Sequence, residues 1–197
     1  MNLETSVIDP LNPFLKKCLY CSRKFPSNSL LRKFCVHKNG VIDYCKEHYN
    51  KPREHEKIHF RNEVVNFLNQ TEIPGPNKDH KEASEMLHWF LEFAFDDVVH
   101  EYAIGGELLK RIDLCVQLRK MKVGIEIKLT SELEGDYSQH VNGLLGQLSY
   151  YELIFKNKLI VAYIGNLSYK TRAHFEKVSS VLSNRGIIVV NIRENFD

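Results

Sequence analysis

Two stretches decide how this chain is read: Arg111-Ile112-Asp113-Leu114 and Gly124-Ile125-Glu126-Ile127-Lys128-Leu129. Both are aliphatic and strand-like, and both interrupt the apolar run with charge. Alternate residues of a strand face the same side of a sheet, so Glu126 and Lys128 are expected to point together. A carboxylate and an ammonium set among Ile125, Ile127 and Leu129 make poor core filling unless the charges have a role. Asp113 offers a second carboxylate. Two carboxylates can hold Mg²⁺, and a lysine beside them can position or polarise a nucleophilic water. That donor set suits cleavage of a phosphodiester.

Outward from these stretches the pattern is regular. A helix is expected over about 79–95, opened by Asn77 or Asp79 as its cap. Strands follow over 98–104, 111–118 and 122–129, with turns at Gly105-Gly106 and around Arg119-Lys120-Met121. A helix over 138–156, a buried strand over 158–164, a polar helix over about 168–184 and a last strand over 187–193 complete the chain. The order α-β-β-β-α-β-α-β predicts an α/β fold: an antiparallel meander that crosses over into further strands, giving a mixed sheet flanked by helices. The aromatic group Trp89, Phe90, Phe93 and Phe95 is expected in the core.

This element order, with Asp113 and Glu126-Ile127-Lys128 on adjacent strands, resembles the PD-(D/E)XK nuclease superfamily. Lys110-Arg111-Ile112-Asp113 looks like that superfamily's G-h-x-D element, with Arg111 where glycine is common. Gln147-Leu148-Ser149-Tyr150-Tyr151 looks like the QxxxY motif of its RecB-like branch. The resemblance covers about residues 79–193. It implies a restriction-endonuclease-like core and metal-dependent hydrolysis of DNA. Asp113, Glu126 and the carbonyl of Ile127 would hold Mg²⁺ or Mn²⁺, which favour oxygen ligands. Lys128 would orient the attacking water or stabilise developing charge. Gln147 and Tyr151, at i and i+4 on one helical face, would contact the site or the DNA backbone. Tyr150 stands as the alternative inward residue.

The superfamily usually adds an acid from the first helix, for which Glu82 and Glu85 are the candidates. Glu82 shares a face with Met86, Trp89 and Phe93, the side expected to pack on the sheet, and is preferred. Glu101 on the first strand is a further possible ligand. Asp113 and the Glu-x-Lys pair could equally form a surface salt bridge on an open sheet face. His80, His88, His100 and His140 are scattered and read as ordinary core-edge or surface histidines. Cys115, two residues beyond Asp113, reads as a small packing residue, since no catalytic dyad adjoins it.

The first third of the chain reads as a separate module. Four of the five cysteines lie between residues 18 and 45. Cys18-Leu19-Tyr20-Cys21 and Cys45-Lys46-Glu47-His48 are two ligand pairs able to complete a tetrahedral Zn²⁺ site. The gap between them leaves room for a hairpin turned at Asn39-Gly40. Cys35 with His37, or His55 with His59, are competing ligands, and free cysteines are the alternative to any site. The arrangement resembles small zinc-knuckle modules of phage and mobile-element nucleases. Iron–sulfur ligation is less favoured, because residues 116–197 contain no cysteine. Pro74, Gly75 and Pro76 break regular structure after a short helix over 60–68, placing a boundary near residue 72. The expected domains are therefore 1–72 and 73–197.

Composition sets the outer bounds. Apolar residues make up 43% and charged residues 26% of 197, a globular balance. No apolar run approaches the ~20 residues of a spanning helix, and the N-terminus lacks a secretory pattern, so an intracellular, non-membrane protein is expected. The net charge of +2 says little, but residues 16–61 are distinctly basic, which favours a polyanion such as DNA. Cutting two strands would favour a homodimer. Two readings compete with a nuclease: a zinc-stabilised DNA-binding protein whose nuclease-like fold is inactive, and an adaptor in which only the zinc knuckle functions.

Overall fold

A computed structural model describes residues 54, 56–77, 79–104 and 110–196 in full, and gives the backbone alone for 15–17, 24–26, 32–37, 40–45, 55 and 107–109. The chain divides into two compact units, one of residues 1–57 with 119–121, the other of 58–118 with 122–197.

In the first unit β1 (Leu15–Lys17) pairs antiparallel with β2 (Lys24–Pro26). β3 (Arg32–His37) and β4 (Gly40–Cys45) form an antiparallel hairpin running from Arg32↔Cys45 to His37↔Gly40. The expected hairpin is thus present, with Gly40 in β4 opposite His37, while Asn39 lies outside the described residues. The same unit holds an ion pair of Arg119 with Glu56 at 3.0 Å, both side chains almost wholly buried. Burial makes each charge dependent on the other.

Helix α1 (Glu54–Gln70) continues from there into the second unit. It is longer than the expected 60–68 and buries Phe60, Val64 and Leu68, spaced one turn apart. Next come β5 (Glu72–Pro74), α2 (His80–Ala94), β6 (Val98–Ile104), β7 (Glu107–Leu118) and β8 (Met121–Leu129). A 3-10 turn over Thr130–Glu134 leads into α3 (Tyr137–Phe155). β9 (Leu159–Ile164), α4 (Tyr169–Ser183) and β10 (Ile188–Asn195) follow. From α2 onward the observed elements lie close to the expected ones.

The six strands of the second unit form one mixed sheet in the order β5-β10-β9-β8-β7-β6. β5, β10, β9 and β8 run parallel, and β6 is antiparallel to β7. β7 and β8 are joined by a turn of only Arg119 and Lys120, so they form an antiparallel hairpin. The expected mixed α/β sheet flanked by helices is what is found. Pro74 is tolerated because β5 is an edge strand, where a missing N–H breaks no ladder. Every residue of β9 is buried, as a strand between parallel neighbours requires.

Helix α3 sets its Val141, Leu144, Leu148, Tyr151 and Phe155 into a core with Ile112, Cys115, Val161 and Tyr163. The fit is close: a Cβ on Gly124 would come within 2.6 Å of Ile112 Cδ1 and 3.0 Å of the Phe155 ring. Helix α2 starts at Asp79, whose side chain accepts the Glu82 N–H at 2.9 Å. It packs on β6 and β7 through Ala83, Ser84, Leu87 and Leu91. The aromatic group is thus not a core: Trp89 is 60% and Phe93 73% exposed. The small Ala83 and Ser84 let the helix sit close to the sheet, with Ser84 Oγ 2.9 Å from His100 Nε2, and turn the bulkier face outward. Phe95 makes edge-on contacts with α1, to Phe60 and Phe67. Among the described residues no helix is long and apolar enough to cross a membrane.

Candidate active site

The β7–β8 hairpin brings Asp113 and Glu126 to neighbouring strands, and the pleat puts Glu126 and Lys128 on one face. Lys128 Nζ donates to Glu126 Oε1 at 2.8 Å. Asp113 Oδ2 accepts the Ile127 N–H at 2.7 Å, which ties the two strands at the site itself. Glu126 is 1% and Lys128 14% exposed at the side chain, so this is no solvated surface pair.

From α3, Gln147 Nε2 donates to Glu126 Oε1 at 2.5 Å and lies 3.0 Å from the Tyr151 hydroxyl. Tyr151 in turn donates to the Arg111 carbonyl at 2.7 Å. A polar chain therefore runs from Lys128 through Glu126, Gln147 and Tyr151 to the backbone of β7. Tyr151 is the inward tyrosine, 4% exposed, and Tyr150 the outward one at 49%. The helix places them so because Tyr151 continues the buried stripe of Leu144 and Leu148.

Two features mark the site as chemically unusual. Glu126 Oε2 is buried with no hydrogen-bond partner, a costly state for a carboxylate oxygen. Burial, then the neighbouring Asp113 charge, push the Glu126 carboxyl up to about 7, with Lys128 opposing them. Burial works against the Lys128 ammonium, yet Glu126 holds its pKa above the usual lysine value. Burial also pushes the Tyr151 hydroxyl up to about 12, so it stays a neutral donor.

His80 joins the site from α2. Its Nε2 lies 3.0 Å from the Ile127 carbonyl oxygen and 3.4 Å from Asp113 Oδ2. The hydrogen bond to Asp113 raises the His80 pKa, burial opposing it. Read as one of several scattered histidines, it carries no expectation of a role. A signal is nevertheless present in the sequence: His80 is three and seven positions before Ala83 and Leu87, hence on the buried face of its helix.

The remaining candidates lie elsewhere. Glu82 is exposed on the outward side that carries Trp89 and Phe93, and Glu85 sits 3.7 Å from Lys81. Glu101 is exposed and pairs with Arg111. Cys115 is fully buried and burial pushes its thiol up to about 12, which suits packing and not nucleophilic attack. Cys18, Cys21 and His48 lie outside the described residues, and Cys45, Cys35, His37 and His55 are described by backbone only. His59 is exposed, 3.6 Å from Glu63.

Among the described residues no group of three or more His, Cys, Asp or Glu side chains is placed to hold a metal ion. The chemistry of the donors nevertheless suits a hard divalent cation: two carboxylates and the Ile127 carbonyl are oxygen ligands, and one buried carboxylate oxygen lacks a partner. No family model, curated protein or solved structure matches this chain.

Proposed function

We propose that the chain is a metal-dependent nuclease that hydrolyses phosphodiester bonds of DNA, with a restriction-endonuclease-like core over 73–197. The observation that carries this reading is the buried Glu126, its Oε2 unpartnered, beside Asp113 and bonded to Lys128 and Gln147. A structural ion pair needs no second carboxylate nearby and leaves no oxygen orphaned. The element order and the inward QxxxY pair add support.

Asp113, Glu126 and the Ile127 carbonyl would hold Mg²⁺ or Mn²⁺, and His80 orients Asp113 and that carbonyl. Such a cation supplies Lewis acidity, polarising a phosphoryl oxygen and lowering the pKa of water. Lys128 presents a positive charge where negative charge develops on the phosphate. Gln147 fixes the Glu126 carboxylate by its hydrogen bond, and Tyr151 anchors Gln147 to β7. In the N-terminal unit, Cys18 and Cys21 fall in the connection from β1 to β2, and His48 follows the end of β4. Cys18, Cys21, Cys45 and His48 would form a Zn²⁺ module that holds DNA or a partner.

Labelled single-stranded, duplex and branched DNA, incubated with Mg²⁺, with Mn²⁺ or with neither, tests the proposal. Cleavage is expected to require the cation and to disappear in Asp113→Ala and Lys128→Ala. Binding without cleavage of any substrate would favour the inactive DNA-binding protein instead.

A further inference from the structure

Beside the candidate active site the second unit has an open pocket of about 360 Å³, lined by Lys110, Arg111, Gly146, Gln147, Tyr150 and Tyr151. Gln147 and Tyr151 belong to the polar chain on Glu126, so the pocket is continuous with the site. Its outer wall is different in kind. Tyr150 leaves about half its surface exposed at 49%, and the Lys110 ammonium lies 3.6 Å from the centre of its ring. An exposed ring under a cation, next to an arginine whose pairing with the exposed Glu101 a phosphate would have to share, is the combination that takes a base on its face and a phosphate on its charge.

The glycines of α3 carry a second, independent indication. Gly143 and Gly146 lie inside a helix, where glycine costs stability relative to alanine. Neither is required by the protein's own packing: a Cβ at either would meet nothing within 4 Å. This contrasts with Gly124, where a Cβ would collide with the core. Gly146 lines the pocket and is followed by Gln147, while Gly143 precedes it by about one turn. Bare helix backbone beside an open pocket leaves room for something outside the protein to approach closely.

We infer that this pocket seats one unpaired nucleotide of a single-stranded DNA, its base stacked on Tyr150 and its phosphate held by Lys110 and Arg111, next to the bond presented to Glu126. The inference rests on the nuclease reading for its choice of polymer. Duplex DNA keeps its bases stacked within the helix and offers none to such a ring without flipping one out. The pocket therefore selects single-stranded ends or flaps over intact duplex. Nothing in it reads base identity, since stacking accepts every base and the cations meet only phosphate.

The test is equilibrium binding of a 2-aminopurine-labelled single-stranded oligonucleotide to the full chain without added Mg²⁺ or Mn²⁺. Fluorescence quenching reports the stacked base. Wild type is expected to quench. Tyr150→Ala should weaken binding about 5- to 100-fold and abolish the quench, while Tyr150→Phe retains both. Lys110→Gln removes one cation from the phosphate and should make the salt slope shallower by about 0.7. Gly146→Ala should weaken binding although its Tm is unchanged or raised, an outcome that separates the pocket from any loss of folding. Unaltered affinity in Tyr150→Ala and Gly146→Ala, or duplex bound as tightly as single strand, would overturn the inference. Cleavage of the same oligonucleotide with Mn²⁺ is scored separately. Tyr150-dependent quenching without cleavage upholds the pocket and removes the catalytic reading. Cleavage untouched by these variants does the reverse.

Discussion

The Glu126 carboxyl offers a prediction whose sign runs against the usual expectation for a site residue. Its pKa is pushed from an ordinary 4.5 up to about 7, chiefly by burial. Between those values the folded protein keeps a proton that the unfolded chain has lost, so stability falls as pH rises through this window and levels off above about 7. At about 1.4 kcal/mol for each tenfold, ionising Glu126 costs about 3 kcal/mol. Glu126→Gln carries no such proton. The stability of the variant minus that of wild type should therefore climb by about 3 kcal/mol between pH 4.5 and pH 7.5. Lys128 loses its partner in the variant, but it stays charged throughout, so its effect enters the difference as a constant. Urea unfolding of both proteins at half-unit steps of pH, without added Mg²⁺ or Mn²⁺, measures the climb. Adding Mn²⁺ at pH 7.5 should restore wild type and leave Glu126→Gln unmoved, by mass action on the folded state. A difference that stays flat with pH would refute the account of Glu126 as a buried carboxylate held near neutrality.

Other perturbations follow from the geometry. Tyr151→Phe removes the donor to the Arg111 carbonyl and an acceptor from Gln147, and should cost about 1–2 kcal/mol in denaturant unfolding while the fold persists by circular dichroism. Leu87→Ala should cost about 2–5 kcal/mol, whereas Trp89→Ser should stay within about 0.5 kcal/mol; equal costs would mean that α2 is turned the other way. Gly124→Ala forces a methyl against Ile112 and Phe155 and should destabilise by about 1–3 kcal/mol, with parallel loss of any activity, since the strand carrying Glu126 must shift. The raised pKa of His80 means that its pairing with Asp113 adds stability below the ordinary histidine value, lost as pH rises through the folded value. Comparing His80→Gln with wild type across pH 5.5–8 by thermal unfolding should show the gap closing toward high pH.

The strands are legible in the sequence because their alternation and length leave few other conformations, and the pairing of Glu126 with Lys128 follows from strand parity; Asp113 joins them through the β7–β8 register, in a strand whose alternation breaks between Ile112 and Cys115. The choice between Tyr150 and Tyr151 is open only while the motif is considered by itself. The stripe Val141, Leu144, Leu148, Tyr151, Phe155 decides it by helical spacing. The face of α2 departs from expectation for an energetic reason. Hydrophobic weight favours burying Trp89 and Phe93, but close approach of helix to sheet favours Ala83 and Ser84, and close approach wins. His80 escapes notice for the same reason, since it lies on the face expected to be outward. The orphaned Glu126 oxygen is a matter of three-dimensional surroundings that no linear pattern records.

The spacing of the site along the chain has a consequence for how it assembles. Asp113 meets Ile127 across 14 residues and Lys128 meets Glu126 across two, all within one hairpin. Gln147 reaches Glu126 from 21 residues away, Tyr151 reaches Arg111 from 40, and His80 reaches Ile127 from 47. Short loops close at the least entropic cost, so the hairpin can gather its two acids and its lysine before any helix covers them. While the hairpin is still wet the two negative charges repel only weakly across water. The penalty arises where α3 lies over Glu126 and shuts out the solvent. Burial beneath that one helix is thus what drives the Glu126 carboxyl toward its protonated form. A cation held beside Glu126 would offset that penalty, coupling the stability of the fold to the occupancy of the site.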